Sequence, residues 1–130
     1  MSVLATASKS SAPGQYLGYS IQPVRLCAHL LSCKPDSSVS IEHVDDVAVH
    51  NADGTQILEQ TKSALSQNPV SDWANDLWKA FANWLDDIEL AVVDPANSKF
   101  RLYVTPIRTG NFVQKLDNAQ TDQEADSVLQ

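Results

Sequence analysis

A chain of 130 residues with 43% hydrophobic content has material for one domain and one modest core. Sixteen acidic side chains against nine basic ones give a formal charge of -7, the wrong sign for a protein that coats nucleic acid unaided. Any handling of DNA would have to rest on a local site, a metal ion or a partner. No apolar run approaches the roughly 20 residues that span a bilayer, so no membrane role is expected.

Residues 1–13 are rich in Ser and Ala and carry Lys9 as their one charge, which reads as a flexible tail without the apolar centre that export requires. With Cys27 and Cys33 the only cysteines, a reduced, cytoplasmic setting is expected. A single domain then occupies residues 14–130. Pro23 is placed as the first residue of a helix through Val24, Leu26, Cys27, Leu30 and Leu31, because its missing N–H costs nothing there. Lys34-Pro35-Asp36 ends that helix.

Residues 37–44 alternate as a first strand, with Val39, Ile41 and His43 on one face and Ser40, Glu42 and Val44 on the other. Residues 46–50 form a second strand. Asn51-Ala52-Asp53-Gly54 carries the turn chemistry of a hairpin, so residues 55–62 return antiparallel as a third. Alternation places Gln60 and Lys62 on one face and Ile57, Glu59 and Thr61 on the other. The return brings Gln60 and Lys62 back toward Asp45 and Asp46.

Residues 64–70 read as a loop, and Ser71 as an N-cap with Asp72 complementing the helix dipole. Trp73, Leu77, Phe81, Trp84 and Ile88 then recur at helical spacing, widened by Trp78 and Leu85, which predicts a long helix carrying much of the core. Asp94-Pro95-Ala96-Asn97 breaks it. Residues 100–105 alternate as a fourth strand with Phe100, Leu102 and Val104 on one face, and helical segments follow over 112–119 and 122–130. No Gly, Pro or basic last turn stops the final helix, so the domain reads as the N-terminal part of a longer protein or as a truncated piece. The order α-β-β-β-α-β-α predicts an α/β fold, a mixed sheet of about four strands flanked by helices.

The chemistry concentrates at Gln60 and Lys62, where an amide oxygen and an ammonium share one surface. A carboxylate from Glu42-His43-Val44-Asp45-Asp46 beside them would complete a set able to hold a hard divalent cation and to stabilise charge on a phosphate. Adjacent residues on a strand point oppositely, so Asp45 and Asp46 compete for the role, with Asp46 favoured. A one-residue shift of register would instead present Glu59 as the ligand, on the face opposite Lys62.

An acidic residue at the start of the second strand and Gln60-Thr61-Lys62 near the end of the third resemble the PD-(D/E)xK, or restriction-endonuclease-like, nuclease superfamily. Within it the chain is similar to the double-stranded-DNA endonuclease effector domains of bacterial anti-phage defence, including the CBASS type, and more distantly to Mrr-like nucleases. Gly18-Tyr19-Ser20-Ile21-Gln22, Glu42-His43-Val44-Asp45-Asp46-Val47, Asp76-Leu77-Trp78-Lys79 with Asn83-Trp84, and Leu102-Tyr103-Val104-Thr105 before Thr109-Gly110 carry the rest of the likeness, which covers most of residues 14–130. The resemblance implies a catalytic set of Asp46, Gln60 and Lys62. It implies Mg²⁺, with Mn²⁺ as a substitute, held by Asp46 and Gln60 with Glu42 or Asp45 as a further ligand. It also implies contacts from Gln22 and Lys79 to a DNA substrate, and a homo-oligomer or a sensor or regulatory partner that switches the domain on. Glu59 departs from the family pattern, where an apolar residue is usual.

Other features have plainer accounts. Helix capping is a cheaper explanation of Gln22 than a place in the site, and Lys79, Arg101 and Arg108 read as isolated surface cations before phosphate contacts. The tryptophans fit a core better than a base-stacking platform. Cys27, His29 and Cys33 lack the second ligand pair of a zinc site. No nucleophile elbow and no glycine-rich phosphate loop occurs. Gln60 in place of an acid leaves a second reading open, a catalytically weak nuclease-fold module acting as a scaffold in a larger complex.

Overall fold

The computed structural model describes residues 12–130; residues 1–11, most of the expected tail, lie outside the described residues. Four strands form one sheet in the order β1 (Ser38–Ile41), β2 (Val47–His50), β3 (Gln56–Ser63) and β4 (Ser98–Thr105). The first three make an antiparallel meander, and β4 lies parallel to β3. Helix α1 (Ala12–Ser32) precedes the meander, and α2 (Asn75–Glu89) makes the crossover that a parallel neighbour requires. Two short helices, α3 (Asn111–Asn118) and α4 (Asp122–Leu129), follow β4. The fold is mixed α/β, in the expected order of elements. No helix among the described residues is long and apolar enough to cross a membrane.

The register sorts the strands into two cross-sheet rows. Ala48, Leu58 and Phe100 sit side by side and pack with Val44, Ile88 and Val93 into the hydrophobic cluster beneath α2, where Trp84 also stacks on Phe100 at 5.1 Å. The next row is Val47, Glu59 and Arg101, and it faces α1. The hairpin forms as its turn chemistry requires: Gly54 takes φ +87°, and Asp53 Oδ1 accepts from both the amide and the hydroxyl of Thr55.

Several boundaries differ from expectation. Pro23 does not start α1 but lies inside it on an exposed position, and its missing N–H leaves the Tyr19 carbonyl without its helical partner. The first strand stops at Ile41 rather than continuing to Val44, because Glu42 turns the backbone to φ +51°; residues 42–46 form a bend, and β2 opens at Val47, not Asp46. Trp73 is not a core residue. It is 91% exposed, since α2 begins only at Asn75 with Ala74 as its N-cap, and Ser71 caps nothing. Asp72 serves another helix: its Oδ1 accepts from the Phe112 amide in the first turn of α3 at 2.8 Å.

Candidate active site

Beyond Val47 the second strand leaves the third, and the exposed edge of β3 is taken over by a side chain. Asp46 Oδ2 accepts from the Thr61 amide at 2.8 Å and from its hydroxyl at 3.2 Å, so a carboxylate replaces the missing strand partner. This fixes the bend of residues 42–46 against the end of β3. Asp46 Oδ1 is left without a hydrogen bond among the described residues.

The bend, β3 and α2 enclose an open cleft of about 630 Å³. Glu42, Asp45 and Asp46 line it from the bend, Gln60 and Lys62 from β3, Lys79, Asn83, Asp86 and Asp87 from α2, and Tyr19 from α1. Strand alternation thus places Gln60 and Lys62 with the carboxylates, as expected. Asp45 and Asp46 both reach the cleft because they occupy a bend, where the two-residue alternation of a strand does not apply.

Each member has a distinct state. The Gln60 side chain is mostly buried, yet none of the hydrogen bonds among the described residues engages its amide. Lys62 has no carboxylate within 4.0 Å among the described residues, although five acids line the same cleft. Asp45 is held by the Trp84 indole, whose Nε1–H donates to Oδ2 at 2.6 Å, while Oδ1 accepts from the Asp46 amide. Burial pushes the Asp45 carboxyl up to about 6; the Trp84 bond opposes this and the charges of Asp46 and Asp87 add to it.

Gln22 and Glu59, the two residues with competing readings, find definite partners. Gln22 lies in the interior of α1, so it caps nothing; its Nε2 donates to Glu42 Oε1 at 2.6 Å. It touches the cleft through Glu42 rather than lining it. Glu59 is not a cleft residue. Its carboxylate, 0% exposed, receives a fork from Arg25 at 2.7 and 2.9 Å and lies 3.1 Å from His29 Nε2, with Arg101 at 3.7 Å. The shifted register is thereby excluded, and Arg101 stands on the face away from the cleft. Arg108 is exposed in the loop after β4. Cys27 and Cys33 are free thiols, and His29 belongs to the Glu59 cluster.

Sequence reasoning gave no site role to Tyr19, Asn83, Asp86 or Asp87. The helical part was within reach: Lys79, Asn83 and Asp86 recur at i, i+4 and i+7, a polar stripe along α2. Compared with family models, with curated proteins and with solved structures, the chain matches none.

The donor set suits a hard cation. Among the described residues no three His, Cys, Asp or Glu side chains stand close enough to hold an ion by themselves. The cleft offers instead a carboxylate oxygen of Asp46 and an amide oxygen of Gln60, both free of other bonds, with Glu42 and Asp45 beside them. Few protein oxygens and a cleft open to solvent are what Mg²⁺ tolerates, since it dehydrates reluctantly.

Proposed function

We propose that the chain is a metal-dependent DNA endonuclease domain, resembling the PD-(D/E)xK effectors of bacterial anti-phage defence, that hydrolyses phosphodiester bonds in the cleft between β3 and α2. The observation that carries this reading is the pair on β3: a Gln60 side chain whose amide opens to the cleft without a hydrogen-bond partner and a Lys62 ammonium without an ion pair among the described residues, in a cleft lined by carboxylates.

Charge supports the need for a cation. Five carboxylates and two ammonium groups line the cleft, so it repels a phosphate backbone until bound divalent cation offsets most of that excess. Mg²⁺, with Mn²⁺ as substitute, supplies polarisation of the phosphate and a lowered pKa for the attacking water. Asp46 and Gln60 would hold it, with Glu42 or Asp45 as a further oxygen. Lys62 would orient the attacking water or steady charge on the phosphate, and Lys79 on α2 would meet the DNA backbone; both line the cleft. The acidic surface fits a domain that binds DNA poorly alone and acts when a sensor domain or oligomer assembles it, in a cytoplasmic setting.

Supercoiled plasmid incubated with the protein, with and without Mg²⁺ or Mn²⁺, tests the reading. Metal-dependent nicking that is lost in Lys62→Ala and in Asp46→Asn is the expected result. Cleavage surviving both changes would remove the site, and no cleavage under any metal or assembly condition would favour the scaffold.

A further inference from the structure

Two carboxylates of the bend compete for the place beside Asp46 and Gln60, and their surroundings differ. Both oxygens of Asp45 already have donors, the Trp84 indole on Oδ2 at 2.6 Å and the Asp46 amide on Oδ1 at 2.9 Å. Glu42 accepts at one oxygen, from Gln22 Nε2, and its Oε2 has no hydrogen bond among the described residues. A cation at Asp45 would compete with two donors, whereas at Glu42 it meets an open oxygen.

The backbone of Glu42 points the same way. Its φ of +51° lies in the left-handed region, which glycine occupies freely and a residue with a Cβ does not. Strain of this kind persists where the surroundings hold it. Here the Glu42 amide donates to the Asp46 carbonyl at 3.0 Å, closing the bend, and Gln22 holds the side chain at 2.6 Å.

Gln22 is itself fixed. It is 5% exposed and shares a face of α1 with Arg25, whose fork to Glu59 ties the helix to β3. Glu59 precedes Gln60 in that strand, so the placement of Glu42 against Gln60 runs through α1 as well as through the bend. The chemistry of the amide matters too. A lysine or arginine in its place would orient the carboxylate but neutralise it, while a neutral N–H donor orients it and leaves its full charge for a cation.

We propose that Glu42, rather than Asp45, is the third cation ligand, and that Gln22 is the positioning residue that holds it. This rests on the metal-site reading given above, and it replaces the DNA contact that the resemblance implies for Gln22.

Mn²⁺ binding to the protein without DNA, read from the electron paramagnetic resonance signal of the free ion, tests the assignment apart from cleavage. Glu42→Gln should weaken binding at least about tenfold and Gln22→Leu roughly tenfold, whereas Asp45→Asn, which removes only a neighbouring charge, should weaken it by less than about threefold. Glu42→Gln keeps an oxygen for the Gln22 amide, so it reads the ligand with the bend intact. The double change Gln22→Leu/Glu42→Gln should bind as Glu42→Gln does, because Gln22 acts through that carboxylate. Additive losses in the double variant would make Gln22 a structural residue alone, and binding indifferent to Glu42→Gln or lost in Asp45→Asn would give the place to Asp45. Either result overturns the proposal while leaving the metal site standing, provided Asp46→Asn still abolishes binding. A wild type that binds no Mn²⁺, or that binds it no better than Asp46→Asn does, overturns the metal site and this assignment with it.

Discussion

Arg25 grips Glu59 with two parallel hydrogen bonds, Nε to Oε1 at 2.7 Å and Nη2 to Oε2 at 2.9 Å, across 34 residues of sequence. The guanidinium also lies 4.0 Å above the Tyr103 ring, so α1, β3 and β4 are joined at one point. Burial works to raise the Glu59 carboxyl, but the Arg25 fork and the His29 charge outweigh it and hold the group below its ordinary 4.5. A depressed carboxyl contributes stability that is full above its unfolded value and is lost as pH falls through the folded one. Urea denaturation of the wild type should therefore show stability declining below about pH 4.5. Arg25→Met leaves a buried charge without its main partner and should cost about 3–5 kcal/mol at pH 7, with most of the loss recovered in Arg25→Met/Glu59→Leu.

Asp45 behaves in the opposite sense. Its carboxyl, raised from 3.8 to about 6 chiefly by burial, favours the folded state while protonated, and that contribution is lost as pH rises through 6. Above that pH a charge is confined beside Asp46 and Asp87. Asp45→Asn keeps an oxygen for the Trp84 indole and removes the charge. It should raise the melting temperature at pH 8 by a few degrees, on the order of 1 kcal/mol once solvent screening at the cleft wall is allowed for, and change little at about pH 3.5, below both the unfolded and the folded value. Thermal melts of the two proteins at both pH values decide the matter, and equal shifts at both would exclude the titration.

Gly110 is required for space rather than for backbone freedom. Its φ of -133° suits any residue, but a Cβ there would lie 2.0 Å from the Val70 carbonyl oxygen. The loops after β3 and β4 are pressed together at this point, also through Asn68 Nδ2 donating to the Thr109 carbonyl. Backbone cannot yield as a flexible side chain does, so Gly110→Ala should cost about 2–3 kcal/mol in chemical denaturation. Asn68→Ala loses that exposed bond and the part-buried one its Oδ1 accepts from the Val70 amide, and should cost about 1–2 kcal/mol, less than Gly110→Ala.

What could be read from the sequence divides along the range of the interactions. The hairpin at Asp53-Gly54 and the shared face of Gln60 and Lys62 follow from neighbouring residues, and both are in place. Trp73 fits the helical period as well as Leu77 does, but period cannot show where a helix starts. That depended on Asp72, whose partner, the Phe112 amide, lies 40 residues away. Glu59 was unexplained for the same reason, and α1 was started too late because a proline that suits a first turn also lies, exposed, inside the helix.

Asp46 combines two roles that substitution can separate. Its Oδ2 holds the Thr61 amide and hydroxyl, a structural duty, while on the proposed reading Oδ1, which has no hydrogen bond among the described residues, would hold the cation with Gln60. Asp46→Asn retains an oxygen for Thr61 and loses the charge, so its stability should stay within about 0.5 kcal/mol of wild type. Asp46→Ala leaves the amide of Thr61, a buried residue, without its acceptor and should lose about 1–3 kcal/mol. Metal-dependent cleavage should fall in both by at least about a hundredfold, as expected where one charged ligand of few is removed. Paired denaturation and nicking assays on the two variants therefore read the structural and chemical duties apart. If Asp46→Asn destabilised as much as Asp46→Ala, the charge itself would be holding the bend; if it cleaved like the wild type, Asp46 would not be the ligand.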